Sequence, residues 1–334
     1  MKIAVFSSKA YDRQFLTDAN VPYGFEITFF EPRLKQTTAP LADGYTVVCV
    51  FINDQVDRST LEYLAAHGTR LIACRSAGYN NVDLVAADQL GIKVVRVPAY
   101  SPHAVAEHAA GLILTLNRRL YRAYNRVRDD NFALQGLLGF DLHGSTVGII
   151  GTGKIGQCFA QIMHGFGCKL LAYDVVESPV CVDLGVTYVD LPTLLGQSDV
   201  VSLHCPLLPS TYHLINSETL AHLKRGAMLI NTSRGGLIHT RNVIDAIKSG
   251  TIGYLGIDVY EEEADLFFED LSDTVIQDDT FQLLQSFPNV VITAHQAFFT
   301  RNALEAIAHT TLSNIAAVIN HQSCDNEVPV PVSP

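Results

Sequence analysis

The 334-residue sequence contains no tryptophan, only three methionines, and 23 lysines and arginines against 34 acidic residues, a formal net charge of -11. The few cations are scattered along the chain and form no basic stripe, which argues against nucleic acid as a partner. No CxxC pair occurs, so a structural zinc site has no foothold and no metal is expected. Cys49, Cys74, Cys158, Cys168, Cys181, Cys205 and Cys324 are odd in number, widely spaced and mostly set among apolar neighbours, as reduced core thiols are. No apolar run reaches membrane-spanning length, and the opening Met1-Lys2-Ile3-Ala4-Val5-Phe6 lacks the apolar stretch and cleavage site of a secretory signal. A cytoplasmic location without a membrane partner is the expectation.

Hydrophobic residues make up 48% of the chain and charged residues 17%, which suits a folded globular protein and excludes extended disorder. The length exceeds what one hydrophobic core usually organises, so two domains are expected. Short β-branched runs alternate with helical patterns almost throughout, the pattern of parallel sheets with crossover helices, and the fold class is α/β. The first series of strands is expected at Lys2 to Ser7, Phe25 to Phe30, Thr46 to Phe51, Arg70 to Cys74 and Lys93 to Val97, with a helix from Thr60 to His67. A long helical pattern from Pro102 to Arg128 then reads as one bridging element with a continuous apolar surface. The second series begins at Val147 and runs through Lys169 to Tyr173, Val200 to His204, Met228 to Asn231, Tyr254 to Val259 and Val290 to Thr293. A further helical pattern, Ala303 to Ile319, has no strand after it, and Glu261 to Thr300, rich in acids without Lys or Arg, reads as a solvated acidic loop.

Gly151-Thr152-Gly153-Lys154-Ile155-Gly156 follows the apolar run Val147 to Ile150 and opens a helical pattern. A glycine motif alone is weak, but between a strand and a helix it permits a tight turn, close approach of a pyrophosphate and anion binding at the helix N-terminus. The next strand ends in Asp174, at the spacing of an acid that binds the adenosine ribose. Its charge would repel a 2'-phosphate, and no Arg or Lys occurs between Asp174 and Lys224 to compensate, which favours NAD over NADP.

Three later segments place polar groups at strand ends, where open α/β sheets bind ligands. Arg234, in the turn Asn231 to Gly236, could grip a substrate carboxylate through two parallel hydrogen bonds or simply pair at the surface. Asp258 is followed by Glu261, Glu262 and Glu263, and a buried acid there would need partners. His295 ends another strand, and hydride transfer from an alcohol needs a base of near-neutral affinity to take the hydroxyl proton.

Taken in order, these segments resemble the D-isomer-specific 2-hydroxyacid dehydrogenase family over essentially the whole chain. Beyond the glycine motif, the likeness rests on Asn231 to Gly235, Asp258 to Glu263, Ala294 to Phe298, Arg96 to Pro102 and Ser202 to Pro206. It implies that a small 2-keto acid and its D-2-hydroxy acid, with pyruvate and D-lactate foremost, are interconverted at the expense of NAD. It further implies Arg234 on the substrate carboxylate and carbonyl, His295 as acid and base, and Glu263 as its carboxylate partner. Asp258 matches a position on the nicotinamide side, Lys154 and Ile155 supply backbone near the pyrophosphate, and His204 and Pro206 lie in a matching cofactor segment. Phe51, Ala77, Gly78, Tyr100 and Phe298 match the substrate pocket. The resemblance implies two Rossmann-like or flavodoxin-like domains with a cleft between them. Residues 1–100 with 299–334 would bind substrate and 101–298 would bind NAD, in a homodimer or homotetramer.

Two rival functions remain open. A dehydrogenase for glycerate-type substrates would need extra polar groups in the pocket, where mainly aromatic ones are expected, while bulkier branched keto acids are not excluded. A dinucleotide-sensing interaction protein could keep the fold without the chemistry, since fold does not fix function.

Overall fold

The computed structural model describes residues 1–330, so the last four residues of the expected substrate domain, 331–334, lie outside it. The chain forms two compact units, one of Met1–Ser101 with the segment from Phe299 onward, the other Pro102–Phe298. The first runs β1 (Lys2–Val5), α1 (Ala10–Ala19), β2 (Glu26–Phe29), β3 (Val47–Val50), α2 (Arg58–Ala66), β4 (Leu71–Cys74), α3 (Leu84–Gln89) and β5 (Lys93–Val95). All five strands pair in parallel, in the order β2-β1-β3-β4-β5. β3 and β4 are buried at every position, which is why they read as unbroken apolar runs instead of alternating ones. Helices α2 and α3 start where Asp57 and Asp83 accept hydrogen bonds from the amides of Thr60 and Ala86.

The second unit opens with α4 (Pro102–Asn117) and α5 (Leu120–Arg128). It continues through β6 (Thr146–Ile150), α6 (Lys154–Gly165), β7 (Lys169–Tyr173), α7 (Pro179–Asp183), β8 (Thr187–Tyr188), α8 (Leu191–Gln197) and β9 (Val200–Leu203). Then follow α9 (Ser217–Leu220), β10 (Ala227–Asn231), α10 (Thr240–Ser249), β11 (Ile252–Ile257), α11 (Asp279–Ser286) and β12 (Val290–Ile292). The seven parallel strands lie in the order β12-β11-β10-β9-β6-β7-β8. Strand order reverses between β6 and β9, the switch point outside which open sheets of this kind bind dinucleotides.

The pattern from Pro102 to Arg128 is not one helix. Arg119 adopts a left-handed backbone, φ 48°, and separates α4 from α5. Its guanidinium lies over Tyr254, 5.5 Å from the ring centroid, while the Asn117 side chain donates to Phe140 O at 2.7 Å and accepts from Phe140 N at 2.8 Å. These contacts turn the chain where periodicity alone would continue it. The apolar face of α4, with Ala106, Ala109, Ile113 and Leu116, is buried in the core of its own unit. None of the residues of α5 is buried.

The acidic stretch from Glu261 is more ordered than a solvated loop, because it contains α11 and β12. Asp278 accepts from Tyr260 Oη at 2.7 Å and caps α11 through Phe281 N at 2.9 Å. The last helix, α12 (Arg301–Ile319), belongs to the first unit. Its Ala308, Leu312 and Ile315 pack with Leu16 of α1 and with Val5, Val47 and Leu71 of the sheet. Among the described residues no helix is long and apolar enough to cross a membrane.

Candidate active site

At the carboxyl end of β6 the chain turns sharply at Gly151, φ 97°, where a Cβ would come within 2.5 Å of the Cys205 amide nitrogen. A Cβ on Gly156 would stand 2.0 Å from Gly151 O, whereas one on Gly153 would meet nothing within 4 Å. The turn is therefore packed tightly beneath and open above. Gly153 is the N-cap of α6 and offers no side chain to it, so the first-turn amides that include Lys154, Ile155 and Gly156 have no intrahelical acceptors. Such a cradle fits the pyrophosphate of a dinucleotide.

Asp174 follows β7, the neighbour of β6. Its Oδ2 accepts from Thr152 N at 2.6 Å and Thr152 Oγ1 at 3.1 Å, and its Oδ1 accepts from Val175 N at 2.7 Å. Tyr188 Oη donates to the same Thr152 hydroxyl at 2.9 Å. On the other side, beyond β9, His204 Nε2 lies 2.9 Å from Ser202 Oγ and its ring 4.7 Å from that of Phe159. Burial without a charged partner pushes this imidazole down to about 3, so it is neutral. Pro206 is exposed two residues on.

The three reactive candidates stand on loops after three neighbouring strands, β10, β11 and β12. Arg234 comes three residues beyond β10, in a turn shaped by Asn231, which accepts from Ser233 N at 3.0 Å and donates to Arg234 O at 2.9 Å. Ser233 Oγ ties the turn to Cys205 O at 2.7 Å. Gly235 lets it lie directly on the next loop, since a Cβ there would be 2.1 Å from the carbonyl of Tyr260. Glu263 lies on that next loop and accepts from Tyr260 N at 2.9 Å through Oε2. Its Oε1 is 2.7 Å from His295 Nδ1. Because the carboxylate accepts, Nδ1 carries the proton, and Nε2 is the nitrogen left for a substrate.

Phe268 and Phe298 flank the His295 ring at centroid distances of 5.6 and 6.5 Å. The structure thus separates the acidic triplet by partner. Glu261 accepts from Thr240 Oγ1 at 2.8 Å and pairs with His213 Nε2 at 2.5 Å, and Glu262 is exposed. Burial raises the Glu261 carboxyl, but its bonds with His213 and Thr240 outweigh that and hold it below the usual range.

Asp258 sits just past the end of β11 and is fully buried. Its Oδ1 accepts from Thr293 Oγ1 at 2.6 Å and Gln296 N at 2.9 Å, and its Oδ2 from Ala297 N at 2.8 Å. His108 Nε2 approaches Oδ1 at 3.4 Å. Burial pushes the carboxyl up, yet the His108 imidazole beside it and the hydrogen bonds from Thr293 and Ala297 prevail and keep it below the ordinary carboxylate range. In this arrangement its carboxylate is committed to the loop that carries His295. Sequence reasoning missed His108, Thr293, His213 and Phe268, whose partners lie far along the chain.

The residues matched to a substrate pocket, apart from Phe298, fall in the first unit, on loops after β3, β4 and β5, which adjoin in its sheet. Phe51 lies under the buried Arg75 guanidinium, 4.9 Å from its ring centroid, and its amide donates to Asp54 Oδ2 at 2.6 Å. Gly78 O accepts from Ser76 Oγ at 2.7 Å and Ala77 O from Arg96 Nη1 at 3.1 Å, which fixes the loop after β4. Tyr100 follows β5, and Phe299 packs edge-on to Tyr11 at 4.8 Å. Among the described residues no group of three or more His, Cys, Asp or Glu side chains is placed to hold a metal ion.

Residues 110–297 match the family model for the D-isomer specific 2-hydroxyacid dehydrogenase NAD-binding domain. The chain is 54% identical to the D-lactate dehydrogenase of Escherichia coli (strain K12), over 98% of this chain and 100% of that protein. The apo-structure of D-lactate dehydrogenase from Escherichia coli superimposes with a TM-score of 0.91 at 50% identity, covering 98% of this chain and 100% of that one. The structure of a pyruvate reductase of Chlamydomonas reinhardtii gives a TM-score of 0.93 at 46% identity, covering 98% of each chain.

Proposed function

The chain belongs to the D-isomer-specific 2-hydroxyacid dehydrogenase family, and on that premise we propose that it interconverts pyruvate and D-lactate. NAD, when bound, supplies or accepts the hydride. Arg234 grips the substrate carboxylate and steadies the carbonyl oxygen, a task for a planar two-point donor. In the reductive direction His295 Nε2 delivers a proton to that oxygen, and in the oxidative direction it takes the hydroxyl proton. Glu263 holds the ring by Nδ1 and stabilises its protonated form. The Gly151–Gly156 turn with the Lys154 and Ile155 backbone would hold the pyrophosphate and Asp174 the adenosine ribose, while His204, Pro206 and Asp258 would border the cofactor.

The observation that carries this reading is the Glu263–His295 pair, placed on loops after neighbouring strands with Arg234 on the loop after the next. Pyruvate is favoured among keto acids because the residues matching the family's substrate pocket, Phe51, Ala77, Gly78 and Tyr100 in the first unit and Phe298 in the second, are small or aromatic and suit a short apolar side chain. The relatives named D-lactate dehydrogenase support the same substrate. Purified protein assayed with NADH against pyruvate, branched 2-keto acids and hydroxypyruvate is expected to give its highest kcat/KM with pyruvate, and chiral analysis to find D-lactate. Preference for hydroxypyruvate would transfer the assignment to a glycerate-type substrate, and NADH binding without any turnover would favour a sensing role.

The protein is proposed to act as a homodimer or homotetramer in the cytoplasm. The support for assembly is the exposed apolar surface of Leu120, Tyr124 and Val127 on α5 with Phe132, Leu134 and Leu138 beyond it. The free state of all seven cysteines suits a reducing compartment. Light scattering at assay concentration tests the assembly, which a monomer would contradict.

A further inference from the structure

We propose that His108 is a positioning residue for His295, acting from α4 through Thr293 and Asp258. The proposal rests on the functional reading above and concerns what keeps its acid–base group in place. Ala294 and His295 both adopt left-handed backbones, φ 52° and 56°. Neither is a glycine, and each such conformation costs about 1–2 kcal/mol. Two strained residues in succession persist only if their surroundings hold them, and here the reactive imidazole is one of the two.

The holding contacts converge on Asp258. Its carboxylate takes the amides of Gln296 and Ala297, directly after the strained pair, and the hydroxyl of Thr293, directly before it. Its own carbonyl accepts from His295 N at 2.5 Å. The Thr293 hydroxyl has one proton to give. That proton goes to Asp258, which assigns the donor's role to His108 Nε2, 2.9 Å from Thr293 Oγ1 and 3.4 Å from Asp258 Oδ1, in the tautomer that carries its proton there. His108 stands on a helix whose Ala106, Ala109 and Ile113 are locked into the core, so it gives the loop a fixed reference. Without it the hydroxyl is free to rotate, Asp258 loses a donor in a buried site, and the strained turn can relax away from Glu263.

His108→Leu, which removes the donor at similar volume, should lower kcat for pyruvate reduction on the order of tenfold while the Kd for NADH changes by less than about twofold. His108→Gln, which restores an N–H donor, should recover most of the loss. Thr293→Val should reproduce the fall, Thr293→Ser should avoid most of it, and the double variant His108→Leu/Thr293→Val should be no slower than Thr293→Val alone, because both changes cut one chain of contacts. Wild-type kcat in His108→Leu or in Thr293→Val, additive losses in the double variant, or an NADH affinity that falls in step with kcat would each overturn the proposal. If His108→Leu fails to fold, the two Thr293 variants decide. Failure of the functional reading shows separately, as a wild-type protein that reduces no 2-keto acid. In that event the imidazole nitrogen resonances of His295 still report on position: they should move in His108→Leu and recover in His108→Gln, and unmoved signals would overturn the proposal.

Discussion

Glu263 Oε1 lies 2.7 Å from His295 Nδ1, 32 positions away in the chain, while the other carboxylate oxygen is fixed by the amide of Tyr260 at 2.9 Å. The acid is thus held from behind and presents one oxygen to the imidazole. Glu263→Gln keeps the size and removes the charge that stabilises a protonated ring. Pyruvate reduction, which needs that protonated ring and its fixed orientation, should then lose on the order of tenfold or more in kcat while NADH binding holds. Steady-state kinetics with an NADH titration give the test, and a wild-type kcat would remove Glu263 from the proposed role.

Arg234→Lys keeps a positive charge and gives up the planar fork. Losing a charged hydrogen bond costs roughly 1.5–3 kcal/mol, and the loss should appear in kcat/KM for pyruvate. A value close to wild type would show that Arg234 does not touch the substrate.

Asp174→Ala should weaken NADH binding by roughly 10- to 100-fold and narrow the preference for NADH over NADPH, because the hydroxyl acceptor and its repulsive charge go together. The comparison with pyruvate saturating isolates the cofactor. An unchanged ratio of the two cofactors would contradict the assignment.

His204 makes stability depend on pH. In the folded protein burial holds its imidazole at about 3, whereas in the unfolded chain it titrates near 6.5. Below pH 6.5 the unfolded chain takes up a proton that the folded one refuses, so this contribution to stability is present at neutral pH and is lost as pH falls towards 3. By pH 5 the loss is at most roughly 2 kcal/mol. Urea unfolding of wild type and His204→Asn at pH 7.5 and pH 5 should show the smaller acid-induced loss in the variant, and equal losses would refute it.

What was legible in the sequence is what local order encodes. The turn Gly151 to Gly156 is framed by a strand and a helix within one βα unit, and Asp174 ends the next strand, so spacing alone places both. The strand ends before Arg234 and His295 could be read in the same way. The break at Arg119 could not, because it depends on Tyr254 and Phe140, which lie outside the helical pattern. Nor could His108, which meets Thr293 across 185 residues and has no neighbour in sequence that signals the contact. β11 stops at Ile257 and leaves Asp258 outside the strand although its flanks are apolar enough to extend it. The two-residue edge strand β8 is too short to carry a period.

The placement of α12 in the first unit bears on how the protein emerges from the ribosome. One face of the sheet formed by the first hundred residues is covered by Ala308, Leu312 and Ile315, which are synthesised after the whole second unit. The larger unit has every strand it needs once Phe298 has been made, whereas the smaller one leaves Val5, Val47 and Leu71 uncovered by their partner helix until α12 has been made. The strands of the first unit are therefore translated well before the helix that covers them, and a chain interrupted between the two would display the apolar surface that chaperones and aggregating neighbours recognise.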